Sequence, residues 1–127
     1  PVIIVAYSGG YMPAAYSLAL GGAAGRIRGV ILLDALYGEE EKFANWIEGA
    51  RSRAFFVSAY SNSSHDGNLA LRARLRRDGV PVEEGMPDGL RPGVVAFIDA
   101  GDVSHDDFVN VAWTSDPLRD LLSRMGR

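Results

Sequence analysis

The chain has 127 residues, a formal net charge of −3 and an apolar fraction of 47%, which is enough for a single domain with its own core. Its mild acidity argues against a nucleic acid as partner, because nucleic-acid-binding domains usually carry a clustered basic face, and no apolar run approaches the ~20 residues of a membrane-spanning helix. The chain contains no cysteine, which excludes disulfides and thiolate chemistry and leaves the compartment open, with a slight preference for the cytoplasm.

The first predicted strand and the turn behind it hold the most informative residues. A strand is predicted over 2–7, because its apolar and mostly β-branched start is typical of a strand buried on both faces. Ser8 follows, with a small residue two positions before it and another two positions after it (Ala6 and Gly10), and a helix is predicted over 11–20. A strand, a sharp turn bearing a serine and a helix form the context of a nucleophile elbow, in which a branched side chain at either small position would collide with the neighbouring strand or helix.

The rest of the chain alternates predicted strands with predicted helices. Three further strands are predicted, over 29–33, 53–59 and 94–98. Three further helices are predicted, over 39–47, 68–77 and 118–125. Helices between strands are typical of βαβ crossovers, so the sequence predicts an α/β fold with a parallel sheet and flanking helices.

Polar side chains follow the strands at their carboxyl ends, which is where such sheets bind ligands. Ser8 follows the first predicted strand, Asp34 the second, Asp66 lies in the loop after the third, and His105 in the loop after the fourth. The Ser8 hydroxyl is expected to stand free above the sheet edge. The backbone N–H of Gly9 is expected at a helix N-terminus, where it can stabilise an oxyanion.

The order serine, aspartate, histidine is the one that α/β-hydrolases use. Over essentially all of its 127 residues, the chain resembles the C-terminal half of an α/β-hydrolase of the lipase and esterase kind. The resemblance implies a serine hydrolase that transfers the acyl group of a small-molecule substrate to water without a cofactor. It makes Ser8 the nucleophile, Gly9 an oxyanion-hole donor, His105 the general base and Asp34 the acid that orients it.

Asp66 is the alternative acid. Many hydrolases of this fold place the catalytic carboxylate after the strand that follows Asp34, and Asp66 is the first carboxylate in that loop. In its other interpretation Asp66 only caps the helix predicted over 68–77.

The resemblance also implies that strands are missing before the chain begins. In that fold three or more strands precede the nucleophile strand, whereas here Pro1 stands directly before it. We therefore expect residues 1–127 to be the C-terminal part of one domain, whose missing N-terminal half or a second chain supplies further strands. The strand at 2–5 is entirely apolar without a charge to discourage association, which favours such a partner.

Two other functions are compatible with the same first motif. One is a catalytically idle module of the hydrolase fold that serves binding or assembly. The other is a nucleotide-binding domain, because the turn at 6–10 also resembles the pyrophosphate loop of adenylating enzymes; the residues at 11–14 lack the polar pair with which that loop continues. No metal site is indicated, since His65 and His105 are far apart in the sequence and no cysteine is present.

Overall fold

The structure, a computed structural model, describes residues 1–22 and 24–126. The strands of the described residues are β1 (Val2–Tyr7), β2 (Ile27–Leu33), β3 (Phe55–Tyr60), β4 (Glu83–Glu84) and β5 (Val95–Asp99). The helices are α1 (Tyr11–Leu20), α2 (Glu40–Ala50), α3 (His65–Arg77), α4 (Phe108–Val111) and α5 (Pro117–Leu122). All strand pairs are parallel, in the spatial order β1-β2-β3-β5-β4. The predicted α/β class, a parallel sheet with flanking helices, is confirmed.

Helices cover both faces of the sheet, and the alternation of side chains along each strand feeds two apolar cores. In β2, Val30 and Leu32 point into the core beneath α1, α2 and α3. Ile31 and Leu33 point into the core beneath α4 and α5. Burial on both faces explains why the central strands have continuous apolar sequences instead of alternating ones.

The predicted elements and the observed ones agree closely, with two omissions. The helix predicted over 11–20 has those bounds, and the other predicted elements differ at their ends by a few residues. The sequence did not predict β4 and α4, because each is too short to show a periodic pattern; β4 forms through its pairing with β5. The helix predicted to start at 68 begins instead at His65.

That earlier start corrects one prediction about Asp66. Ser64 occupies the N-cap position of α3, so Asp66 lies within the first helical turn and does not cap the helix. An acidic side chain in the first turn still favours the helix through the helix dipole. The interpretation of Asp66 as a helix cap is therefore wrong in its geometry.

β1 lies at the edge of the sheet. It pairs with β2 from Val2 to Tyr7, and no strand of the described residues pairs with its other side. Val5 in this strand is 41% exposed, whereas the side chains of β3 are all buried. The turn that bears Ser8 therefore follows an edge strand in this chain.

Candidate active site

Ser8 has a backbone conformation that residues other than glycine seldom adopt. It begins a 3-10 turn over Ser8–Gly10 that leads directly into α1, and its φ is 54°. Such a conformation costs on the order of 1–3 kcal/mol and is found mostly where function requires it. The small residues beside the turn face each other, because a Cβ atom placed on Gly10 would lie 3.4 Å from the Cβ of Ala6. At Gly10, the nearest neighbour of an added side chain is thus Ala6, at an ordinary van der Waals distance.

The parallel sheet brings Ser8, Asp34 and His105 to one edge, because the carboxyl ends of parallel strands lie side by side. β5 is three strand positions from β1, which is about 14 Å at the usual spacing. The loop from Asp99 to His105 spans about 20 Å when extended, so it reaches across the ends of β3 and β2. A hydrogen bond of 2.9 Å from the Asn62 N–H to the Gly101 carbonyl fastens the loop above β3.

The three side chains form one hydrogen-bonded series. Nε2 of His105 lies 2.9 Å from Oγ of Ser8, and Nδ1 of His105 lies 2.7 Å from Oδ2 of Asp34. With the ring hydrogen on Nδ1, the imidazole donates to Asp34 and accepts the hydrogen of Ser8. The His105 side chain is 26% exposed and the Asp34 side chain is wholly buried, so the series runs from the molecular surface into the core.

Tyr7 holds His105 from the side of β1. Its hydroxyl donates a hydrogen bond of 2.5 Å to the His105 carbonyl oxygen. The two rings are stacked, with centroids 5.0 Å apart and an interplanar angle of 16°. The residue directly before Ser8 thus fixes both the backbone and the ring plane of the histidine.

Asp34 is a buried carboxylate surrounded by donors. It follows β2 with φ at 48°, a conformation that aspartate tolerates better than most residues. Its oxygens accept hydrogen bonds from Ser64 Oγ at 2.5 Å, from the Ser61 N–H at 2.8 Å and from Ser61 Oγ at 2.7 Å, besides the bond to His105. Burial by itself raises the pKa of Asp34, but the bonds from Ser64, Ser61 and His105 together outweigh it and hold the pKa below its ordinary value.

The donors around Asp34 belong to a larger buried network. Nδ2 of Asn68 donates to the Ser64 carbonyl at 2.8 Å, and Oγ of Ser58 donates to Oδ1 of Asn68 at 2.5 Å. Apart from aromatic residues, five residues with polar or charged side chains are buried within residues 1–22 and 24–126, and all five are members of this network: Asp34, Ser58, Ser61, Ser64 and Asn68. The hydrogen bonds of these five residues thus lead to the carboxylate of Asp34.

Tyr37 is a further contact of His105 that the sequence analysis missed. Its hydroxyl lies 2.9 Å from Nδ1 of His105 and 2.6 Å from Oγ of Ser63. The serines after β3 were a usable signal, because a polar run directly after a buried strand is typical of a ligand-binding sheet edge. Tyr37 stands between Leu36 and Gly38, outside any polar run, and gave no such signal.

The remaining predicted residues lie near the site without joining the series. Gly9 is exposed and directly follows Ser8, and a Cβ atom placed on it would meet no atom within 4 Å. Gly9 lies in the first turn of the 3-10 segment Ser8–Gly10, and the first N–H groups of a helix have no acceptor within it. Asp66 is exposed, and one of its carboxylate oxygens is 3.6 Å from Nδ1 of His65.

The described residues contain neither a candidate metal site nor a candidate membrane-spanning helix. No group of three or more histidine, aspartate or glutamate side chains in the described part of the chain is arranged to hold a metal ion. No helix found there has the length and apolar character needed to cross a membrane.

A search of protein-family models, of curated proteins and of solved structures found no match to this chain.

Proposed function

We propose that this chain carries the catalytic residues of a serine hydrolase, which transfers the acyl group of a small-molecule ester or related compound to water. The single observation behind the proposal is the continuous series from Ser8 through His105 to Asp34, with Ser8 on a turn of positive φ. Structural serines seldom need such a conformation, whereas a nucleophile that must stand clear of a sheet edge does.

The proposed reaction assigns one task to each residue. The Ser8 oxygen attacks the acyl carbon while its proton moves to Nε2 of His105. Asp34 stabilises the resulting imidazolium through the Nδ1 hydrogen, and the Gly9 N–H donates to the oxyanion that forms on the acyl oxygen. His105 then gives the proton to the leaving group. Water, activated in the same way, hydrolyses the acyl-enzyme and restores Ser8.

The parent architecture is part of the same proposal: the chain would be the C-terminal part of an α/β-hydrolase domain. A parallel sheet with the serine after β1, the acid after β2 and the histidine after β5 supports it. The unpaired side of β1 is where an N-terminal half of such a domain, or a second chain, would add a strand. A loop of that added part would supply a second oxyanion donor.

Labelling of the full-length protein by a fluorophosphonate probe tests the nucleophile. We expect the probe to attach to Ser8 and Ser8→Ala to abolish labelling while leaving the fold intact. Ser17→Ala, which removes an exposed serine of α1, is the matched control and should leave labelling unchanged. A folded wild-type protein that no fluorophosphonate labels would favour the catalytically idle module.

A pair of carboxamide variants tests the acid. Asp34→Asn should lower kcat by about 10⁴-fold, because the amide favours the wrong tautomer of His105. Asp66→Asn should leave kcat near the wild-type value, because the exposed Asp66 carboxylate lies beside His65. The reverse pattern would reassign the role to Asp66.

The nucleotide-binding alternative has less support at this site. A phosphate cradle uses backbone N–H groups at the start of a helix and needs no imidazole on the serine. Here the Ser8 hydroxyl is engaged by Nε2 of His105. Retention of full labelling in the presence of millimolar ATP would agree with the hydrolase, whereas nucleotide protection of Ser8 would favour the cradle.

A further inference from the structure

We infer that Tyr37 is a positioning residue for His105: its hydroxyl oxygen is a second acceptor for the Nδ1 hydrogen, and Ser63 fixes the direction in which the Tyr37 hydrogen points. The inference rests on the proposed function for its catalytic consequence, and on geometry alone for the hydrogen-bond arrangement. The atoms concerned are Nδ1 of His105, with Oδ2 of Asp34 at 2.7 Å and Oη of Tyr37 at 2.9 Å, and Oγ of Ser63 at 2.6 Å from the same Oη.

A count of hydrogens decides which atom donates. Nδ1 must carry the ring hydrogen if Nε2 is to accept from Ser8, because a neutral imidazole has one donor and one acceptor. A tyrosine that donated to Nδ1 would require a bare nitrogen there. That nitrogen and the Asp34 carboxylate oxygen would then face each other at 2.7 Å with no hydrogen between them. The arrangement that satisfies all atoms has Nδ1–H shared between Asp34 and the Tyr37 oxygen.

Ser63 lies within hydrogen-bond distance of the Tyr37 hydroxyl and can accept its hydrogen. The ordinary pKa of a tyrosine, about 10, keeps the hydrogen on the Tyr37 hydroxyl at neutral pH, and the partial burial of this 40% exposed residue raises the pKa further. Oγ of Ser63 lies 2.6 Å from Oη of Tyr37, a contact in which either hydroxyl can donate. We assign the donor role to Tyr37, because this direction leaves the lone pairs of its oxygen free to accept from Nδ1. Tyr37 thereby opposes the tautomer that cannot accept the proton of Ser8.

The second acceptor matters most when His105 is charged. As the Ser8 proton reaches Nε2, Nδ1–H becomes part of an imidazolium and donates more strongly. Tyr37 therefore stabilises the transition state more than the resting state. Because its hydroxyl lies at Nδ1 and Ser8 lies at Nε2, the effect belongs in kcat and not in KM.

Tyr37→Phe in the full-length protein tests the inference, since the variant keeps the ring that meets His105 edge-on and removes only the hydroxyl. We expect kcat to fall about tenfold, the size of one hydrogen bond to a charged group, with KM unchanged. The proton NMR resonance of His105 Nδ1–H should shift, in a sample with ¹⁵N-labelled histidine. Tyr11→Phe is the matched control, because it removes the hydroxyl of a neighbouring tyrosine whose ring centroid lies 6.2 Å from that of Tyr37. This variant should change neither kcat nor the Nδ1–H resonance.

Ser63→Ala supplies an independent second variant. It should lower kcat by a smaller factor, because the freed tyrosine hydrogen can turn toward Nδ1. Combined with Tyr37→Phe it should cause no further loss, since Ser63 acts through the hydroxyl already removed. Additive losses, or an unchanged kcat and resonance in Tyr37→Phe, would overturn the inference. A wild-type protein that neither reacts with a probe nor hydrolyses an ester would refute the proposed function, while the Nδ1–H resonance would still decide the role of Tyr37.

Discussion

Asp34 illustrates how individual residues keep a buried carboxylate charged. Removing a charge from water is costly unless donors replace the water. Here Ser61 and Ser64 supply three donors and His105 a fourth. Their combined effect exceeds the effect of burial and leaves the pKa of Asp34 below its ordinary value. A charged Asp34 is the form that the proposed mechanism requires.

Ser64→Ala should therefore destabilise the protein in a pH-dependent manner. A carboxyl group whose pKa is lowered in the folded state stabilises the protein at pH values above its ordinary pKa of about 4. This stabilisation is lost as the pH falls through the lowered folded-state pKa. Without Ser64 the folded-state pKa of Asp34 rises. We expect the free energy of unfolding to drop by about 2 kcal/mol at neutral pH, and the difference from wild type to shrink below pH ~4.

Urea unfolding at a series of pH values measures this difference. Ser63→Ala is the control, because it removes a hydroxyl of the same loop that contacts Tyr37 and not Asp34. It should change the free energy of unfolding by less than Ser64→Ala at every pH. A difference between Ser64→Ala and wild type that grows toward acid pH would contradict the assignment of Ser64 as a stabiliser of the charged form.

At the scale of elements, the site depends on the close approach of α3 to the loop between β2 and α2. Gly67 lies in α3, and a Cβ atom there would overlap the backbone oxygen of Leu36, two residues beyond Asp34. A backbone neighbour cannot rotate away as a side chain can. The position of the loop that begins with Asp34 is thus tied to a glycine that the sequence analysis did not single out.

Gly67→Ala should push this loop outward. We expect a loss of about 1–3 kcal/mol in the free energy of unfolding, as for other overpacked sites, together with a lower kcat because Asp34 moves relative to His105. Gly49→Ala in α2 is the matched control, since a Cβ atom there meets nothing within 4 Å; it should stabilise the helix by up to about 1 kcal/mol. Thermal unfolding and esterase assays of both variants test this, and equal behaviour of the two would refute it.

At the scale of the whole molecule, the β1 edge of the sheet stays unpaired within the described residues. β1 ends the sheet with apolar residues and no charge, and an uncovered edge of this type promotes association. The adjacent α1 adds exposed apolar side chains four residues apart, namely Met12, Tyr16 and Leu20. Such a spacing forms one stripe on a helix.

We expect residues 1–127, purified alone, to dimerise or aggregate, and light scattering measures this. Val5→Lys should reduce association, because a charge at an edge strand discourages pairing. Leu122→Lys is the matched control: the two side chains are similarly exposed, at 41% and 40%, and Leu122 lies in α5 and not in an edge strand. A wild-type monomer with a sharp thermal transition would contradict the need for a further strand.

The sequence by itself determined the local elements and the residues at their ends. The alternation of strands and helices, the bounds of α1 and the placement of Ser8 after a strand were all predictable. These features depend on neighbouring residues, through side-chain periodicity, helix-ending signals and the small residues beside a sharp turn. The parallel sheet followed because helices separate the strands.

Only the tertiary structure decided which of these residues meet. His105 is 97 positions from Ser8 and 71 from Asp34 in the chain, and no local pattern reports contacts over such separations. The choice of Asp34 over Asp66 as the neighbour of His105, and the contacts of Tyr7, Tyr37 and Ser64, depend on strand order. They depend also on how far each loop reaches across the sheet edge. Those quantities are set by packing of the whole chain, because the energy that places each loop comes from residues distant in sequence.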